Sequence, residues 1–146
     1  MFFQHLGVGP DSFIKDLGTT VAGELLKPHL GYLQAVWPCL QRKLVHGLAH
    51  ITGGGLLENI PRVLPAGCSI AIRRGSWPVL PVFSYMADRG GVAEPEMYRV
   101  FNMGIGMAMM TAPGEVAEVE GLIRSAGMEV YRIGEVVTGG REVALR

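Results

Sequence analysis

The amino-acid sequence predicts an α+β domain built on a mixed sheet of four to five strands. Three observations predict it. β-like apolar runs over 45–51, 68–73 and 102–111 alternate with stretches whose apolar residues recur at helical spacing, such as Leu30, Leu33, Val36, Trp37 and Leu40. Two strand-like runs at the end, 129–137 and 141–145, are separated by Gly139-Gly140, a hairpin signal that argues against a purely parallel sheet. The length of 146 residues suits one domain with its own core.

Each element has a local reason. Pro10-Asp11-Ser12 reads as a turn. Thr19-Thr20 can cap a short helix through Leu26, with Glu24 near its first turns and Pro28 breaking it. An amphipathic helix follows over 30–43, and Pro38 inside it marks a kink or a boundary. The strand over 45–51 leads into three glycines and a short helix over 56–60, which Pro61 and Pro65 close. Residues 68–73 form a second strand. Residues 78–89 form a helix with prolines in its first turn, where they are tolerated, and Gly90-Gly91 at its end. A short helix over 94–99 precedes the methionine-rich strand of 102–111. Pro113-Gly114-Glu115 opens a helix through Ala126, with Gly127 just past its end.

Composition narrows the function. Lys+Arg and Asp+Glu are both 13, so a non-specific nucleic-acid binder, which needs a basic surface, is not expected. The hydrophobic content is 49%, yet no run approaches the roughly 20 apolar residues that span a bilayer. The excess points to an interface covered by another domain or subunit. Met1-Phe2-Phe3-Gln4-His5 lacks the basic and apolar regions of a secretory signal. Phe2, Phe3, Leu6 and Val8 read as the last turn of an apolar helix and its exit, so a longer parent protein is expected. Cys39 and Cys68 have no metal-ligand spacing and read as free thiols of a reducing, cytoplasmic setting.

The chemistry concentrates at 50–62. Gly53-Gly54-Gly55 stands between strand and helix, where glycine admits close approach of backbone N–H groups to an anion. His50, Thr52, Asn59 and Arg62 flank it, and anion or nucleotide binding is the favoured reading. No Lys-Ser/Thr pair follows, so this is not a Walker loop. His50 is a candidate acid, base or phosphate contact, with a hydrogen-bonded structural histidine as the alternative. Gly104-x-Gly106 lacks the helix of a dinucleotide fingerprint and reads as strand. Asn102 is the polar residue of interest there. Met103, Met107, Met109 and Met110 read as core filling. The four histidines lack zinc-enzyme spacing, so no metal site is expected.

Two long blocks carry a resemblance. The first is Ala49-His50-Ile51-Thr52-Gly53-Gly54-Gly55 with Glu58-Asn59-Ile60-Pro61-Arg62-Val63-Leu64-Pro65. The second is Glu96-Met97-Tyr98-Arg99-Val100-Phe101-Asn102-Met103-Gly104-Ile105-Gly106-Met107. With Leu25-Leu26-x-Pro28 and Ile133-Gly134, they resemble aminoimidazole ribonucleotide synthetase, also called phosphoribosylformylglycinamidine cyclo-ligase. Selenophosphate synthetase and thiamine monophosphate kinase share its architecture, but the Glu-Asn-x-Pro-Arg block favours the purine ligase. The resemblance covers the C-terminal domain of that family only. Residues 1–146 are therefore expected to be a single C-terminal domain, without the N-terminal ATP-binding domain.

The resemblance implies a layered α/β/α domain, partly ferredoxin-like, that forms one wall of an active-site cleft. It implies ATP-dependent ring closure of formylglycinamidine ribonucleotide, with ATP and Mg²⁺ used by the complete enzyme and neither held tightly by this chain. The formyl oxygen is activated as a phosphate ester before a nitrogen attacks. Thr52, Gly53, Gly54 and Gly55 would contact the substrate phosphate. Arg62 would add charge or pair with Glu58, His50 would assist proton transfer, and Asn102 would orient the substrate. Asn59 belongs to the same binding set. Pro28-His29-Leu30-Gly31-Tyr32 departs from the family's usual Pro-Thr-x-x-Tyr, which puts any substrate contact there in doubt. Alone, the chain is expected to be inactive and to self-associate. The alternative is a stand-alone nucleotide- or protein-binding module without catalysis.

Overall fold

The computed structural model describes residues 2–146. After the turn at Pro10, Phe13–Ile14 (β1) and Thr19–Thr20 (β2) pair antiparallel. This ladder is too short to leave a periodic signal, and the sequence reading did not foresee it. The cap it did foresee is present: the Thr20 hydroxyl accepts the Gly23 N–H at 3.0 Å and starts Val21–Leu25 (α1).

Leu33–Gln41 (α2) begins three residues later than the periodicity implies. The N–H groups of Ala35 and Val36 donate to the carbonyl of Tyr32, and residues 27–32 stay irregular. The helix continues through Pro38. The bond that Pro38 cannot donate would have gone to the carbonyl of Gln34, an exposed residue that water can reach.

Gly47–His50 (β3) pairs antiparallel with Met107–Met110 (β5), with Ala49 opposite Ala108 and His50 opposite Met107. β5 is shorter than the expected strand because residues 102–105 form a tight turn. Its bonds run from the Gly104 N–H to Asn102 Oδ1 at 3.0 Å and from the Ile105 N–H to the Asn102 carbonyl at 2.9 Å. Met103 takes φ +51°, and Trp77 Nε1–H holds its carbonyl at 2.9 Å from the buried side.

Cys68–Ile72 (β4) is the middle strand of the third ladder, with Gly134–Thr138 (β6) antiparallel on one edge and Val143–Leu145 (β7) parallel on the other. Mixed orientation is as expected, and the strands are distributed over ladders of two, two and three. The hairpin expected at Gly139-Gly140 is not formed: β6 and β7 do not pair with each other. Ser69 to Ile72 are buried, and a buried strand needs backbone partners on both edges. The connection therefore crosses the end of β4, with the Gly139 N–H on the carbonyl of Gly67 and the Arg141 N–H on that of Cys68.

The remaining helices are Gly55–Asn59 (α3), Pro81–Gly90 (α4), Glu94–Val100 (α5) and Val116–Ser125 (α6). One core gathers Ile51, Leu56, Ile60, Ile72, Trp77 and Met97. A smaller one joins Ala35, Cys39 and Leu44 to Val119 and Ile123 of α6. Cys39 is fully buried there, and that burial pushes its thiol pKa up. Cys68 is half-buried. A disulfide-exchange reagent is expected to label Cys68 in the native protein and Cys39 only on unfolding. Equal, rapid labelling of both would contradict the packing of α2 on α6.

Candidate functional site

β3 ends at His50, and the next residue anchors the loop: the buried Ile51 donates its N–H to the Gly106 carbonyl at 2.9 Å. Thr52 and Gly53 are exposed. Gly54 and Gly55 both take positive φ, +95° and +55°. A Cβ on Gly55 would collide with the carbonyl oxygens of Tyr98 and Phe101, so α3 and α5 meet backbone to backbone at this residue. Asn59 is buried beneath the loop and donates from Nδ2 to the carbonyls of Gly55 at 2.8 Å and Gly53 at 3.2 Å.

The three glycines thus do different things. Gly55 makes the close contact, and its N–H is donated to the Thr52 carbonyl at 3.0 Å. Gly54 supplies the turn. Gly53 is open, with no heavy atom near its Cβ position. Neither Gly53 nor Gly54 donates its N–H to another described residue.

The second motif block lies alongside the first. Arg99 on α5 bonds Glu96 at 2.8 and 2.5 Å and reaches Glu58 at 3.7 Å. These bonds hold the Glu96 carboxyl below its ordinary pKa. Glu58 therefore faces Arg99, and Arg62 is exposed with no ion-pair partner among the described residues. The Glu58 side chain lies over Gly54. Asn102 is half-buried, and its Oδ1 is engaged by its own turn.

His50 has neighbours that sequence reasoning did not assign. The His29 ring lies edge-on to it, with centroids 5.5 Å apart, and the Tyr32 ring stands at 6.3 Å. The Tyr32 hydroxyl occupies the space a Cβ on Gly106 would need, and burial pushes its phenol pKa up. The one signal was the Pro28-His29-Leu30-Gly31-Tyr32 segment, whose expected helix from residue 30 gave no hint that both rings would meet His50. The site is an open surface of backbone N–H groups, a hydroxyl and an imidazole, able to hold anionic oxygens and to move a proton. Among the described residues no three His, Cys, Asp or Glu gather as metal ligands.

The profile described as AIR synthase related protein, C-terminal domain, matches residues 5–145. The chain belongs to that family. Its curated relatives include proteins named phosphoribosylformylglycinamidine cyclo-ligase. That of Limosilactobacillus reuteri (strain DSM 20016) is 47% identical over 80% of this chain and 34% of its own length. That of Citrifermentans bemidjiense is 46% identical over 93% and 39%, and that of Desulfatibacillum aliphaticivorans 40% identical over 96% and 40%. The chain spans about two fifths of the length of these relatives, or less. Among the described residues no helix is long and apolar enough to cross a membrane.

In this member of the family the glycine loop gives a direct structural test. Gly55→Ala is expected to lower unfolding free energy by more than about 2 kcal/mol, from the collision and the positive φ together. Gly53→Ala should leave it unchanged or raise it by up to about 1 kcal/mol. Urea denaturation of both variants measures the difference, and similar losses would contradict the division of roles.

Proposed function

We propose that the chain is the C-terminal part of phosphoribosylformylglycinamidine cyclo-ligase and holds the phosphate end of formylglycinamidine ribonucleotide at Thr52, Gly53 and Gly54. One observation carries this reading: two backbone N–H groups without acceptors among the described residues, beside an exposed hydroxyl, on a loop locked from within. Such groups stabilise an anion without moving, because Asn59 and Gly55 already fix the loop. Arg62 adds positive field from the 3-10 turn Ile60–Val63. Arg99, shared with Glu96, offsets part of the Glu58 charge, which would otherwise repel an anion at Gly54 more strongly.

His50 takes or returns a proton as the imidazole ring closes, and His29 and Tyr32 pack against it to set its ring. Asn102 orients the substrate through the amide nitrogen, since its oxygen is used in the turn. The described residues offer neither an acidic cluster for Mg²⁺ nor a lysine-bearing phosphate loop, so they do not fit the ATP–magnesium group. ATP and Mg²⁺ belong, in this reading, to the remaining three fifths of a complete, cytoplasmic enzyme, and this chain alone does not turn over. Phosphoryl transfer depends on charge and positioning from all parts together.

A thermal-shift titration with formylglycinamidine ribonucleotide, its aminoimidazole product, ATP and inorganic phosphate tests the reading. The ribonucleotides are expected to stabilise the chain by about 2.7 kcal/mol at 100 times their Kd, and ATP is not. Gly53→Asp, which places a carboxylate on the open side of the loop, should remove that stabilisation and leave the unliganded melting temperature unchanged. Arg99→Ala should weaken it. Stabilisation by ATP alone, or by the ribonucleotide equally in Gly53→Asp, would overturn the assignment, as would no shift with any ligand.

A further inference from the structure

Three segments meet on one face of the β3–β5 ladder. His50 ends β3, Met107 begins β5, and His29 and Tyr32 come from the irregular stretch before α2. The Ile51 N–H on the Gly106 carbonyl makes His50 and Met107 a non-hydrogen-bonded pair, in which the two side chains share a face and stand closest. The His29 ring lies edge-on to His50, at 5.5 Å and 88°, and edge-on to Tyr32, at 5.6 Å and 83°. Both imidazoles are exposed, and Met107 is half-buried.

His29 Nδ1 lies 2.9 Å from the Leu30 carbonyl oxygen. A carbonyl can only accept, so Nδ1 carries the hydrogen, and Nε2 of the neutral ring holds the lone pair. Metal-bound histidines have this arrangement, with one nitrogen tied to a backbone carbonyl and the other at the metal. Metal–nitrogen bonds of about 2.0 Å set two ring centroids roughly 5 to 6 Å apart at open angles, and the 5.5 Å between His29 and His50 fits. The donor set decides which metal. No Asp or Glu occurs from Leu25 to Leu57 or from Val100 to Gly114, so these segments lack the carboxylates that Mg²⁺ and Ca²⁺ prefer. Zinc takes a tetrahedral set, which two imidazoles and a thioether do not complete. Neutral, soft donors in a small set suit Cu(I).

We propose that His29, His50 and Met107 form a Cu(I) site, with two imidazole nitrogens and the thioether sulfur in a trigonal set. The flexible, unbranched Met107 side chain swings its sulfur toward the rings. Tyr32 packs beside both imidazoles and limits their rotation. The spacing of the histidines along the chain speaks only against a zinc-enzyme pattern, because this cluster draws on three separate segments. The inference is independent of the ligand assigned to the glycine loop.

Anaerobic titration of the whole chain carrying Cys68→Ser with Cu(I), followed by NMR of imidazole and methionine-methyl signals, tests it. Cys68 is replaced because its half-buried thiol would compete for a soft cation. The signals of His29, His50 and Met107 are expected to shift together and saturate at about one equivalent per chain. His46, which faces Glu115, and Met128, in the α2–α6 core, should stay unmoved. His29→Ala should weaken binding at least about tenfold in competition with bicinchoninate, and Met107→Leu by less. His29 is exposed and Met107→Leu conserves volume, so urea unfolding of both variants should match the parent. Unmoved signals at His29 and His50, or equal affinity in His29→Ala, would overturn the proposal. So would Zn²⁺ binding these residues more tightly than Cu(I).

Discussion

The backbone contact between Gly55 and the end of α5 is the constraint on which the candidate site depends. Two carbonyl oxygens, of Tyr98 and Phe101, occupy the space a side chain at 55 would need. The approach brings two motif blocks, some forty residues apart in the chain, onto one surface. It also fixes where the loop after β3 can go, because Ile51 is tied to Gly106 at one end and Gly55 is seated on α5 at the other. Asn59 then closes the loop from beneath, so its backbone is set before any ligand arrives.

That arrangement has an electrostatic consequence. α5 brings Arg99 toward a carboxylate, Glu58, that lies over the glycine turn. Arg99 is shared with Glu96, so the local charge is a triad of two carboxylates and one guanidinium on an exposed surface. Such a surface network is worth little for stability. Its effect is local, on the potential around the glycine turn over which Glu58 lies. Arg62 has no ion-pair partner among the described residues.

The distribution of apolar residues follows the same division between packing and exposure. α6 covers one side of α2, and the other side stays open with Leu33, Trp37 and Leu40. The high hydrophobic content of the chain therefore has a place in the structure as well as a number. A helix with two apolar sides and one covering partner leaves an unfinished contact.

Much was legible in the sequence because it was local. The Thr20 cap, Pro81 at the start of α4, and the Gly91 and Gly127 ends depend only on neighbouring residues and the backbone angles they allow. The glycine loop stood out for the same reason, and so did the α+β class. What periodicity cannot encode is which distant backbone comes to lie alongside. Gly139-Gly140 looks like a hairpin until β4, buried and needing partners on both edges, takes β6 on one and β7 on the other. Three adjacent glycines look equivalent until α5 distinguishes Gly55 from Gly53. Nothing in the pattern joined His29 and Tyr32 to His50, and only the tertiary fold sets them against it. The sequence by itself determined the motif residues and most of the elements, though not the short β1–β2 ladder. The tertiary structure alone decided their partners, because those contacts join groups far apart along the chain, where local propensity has no reach.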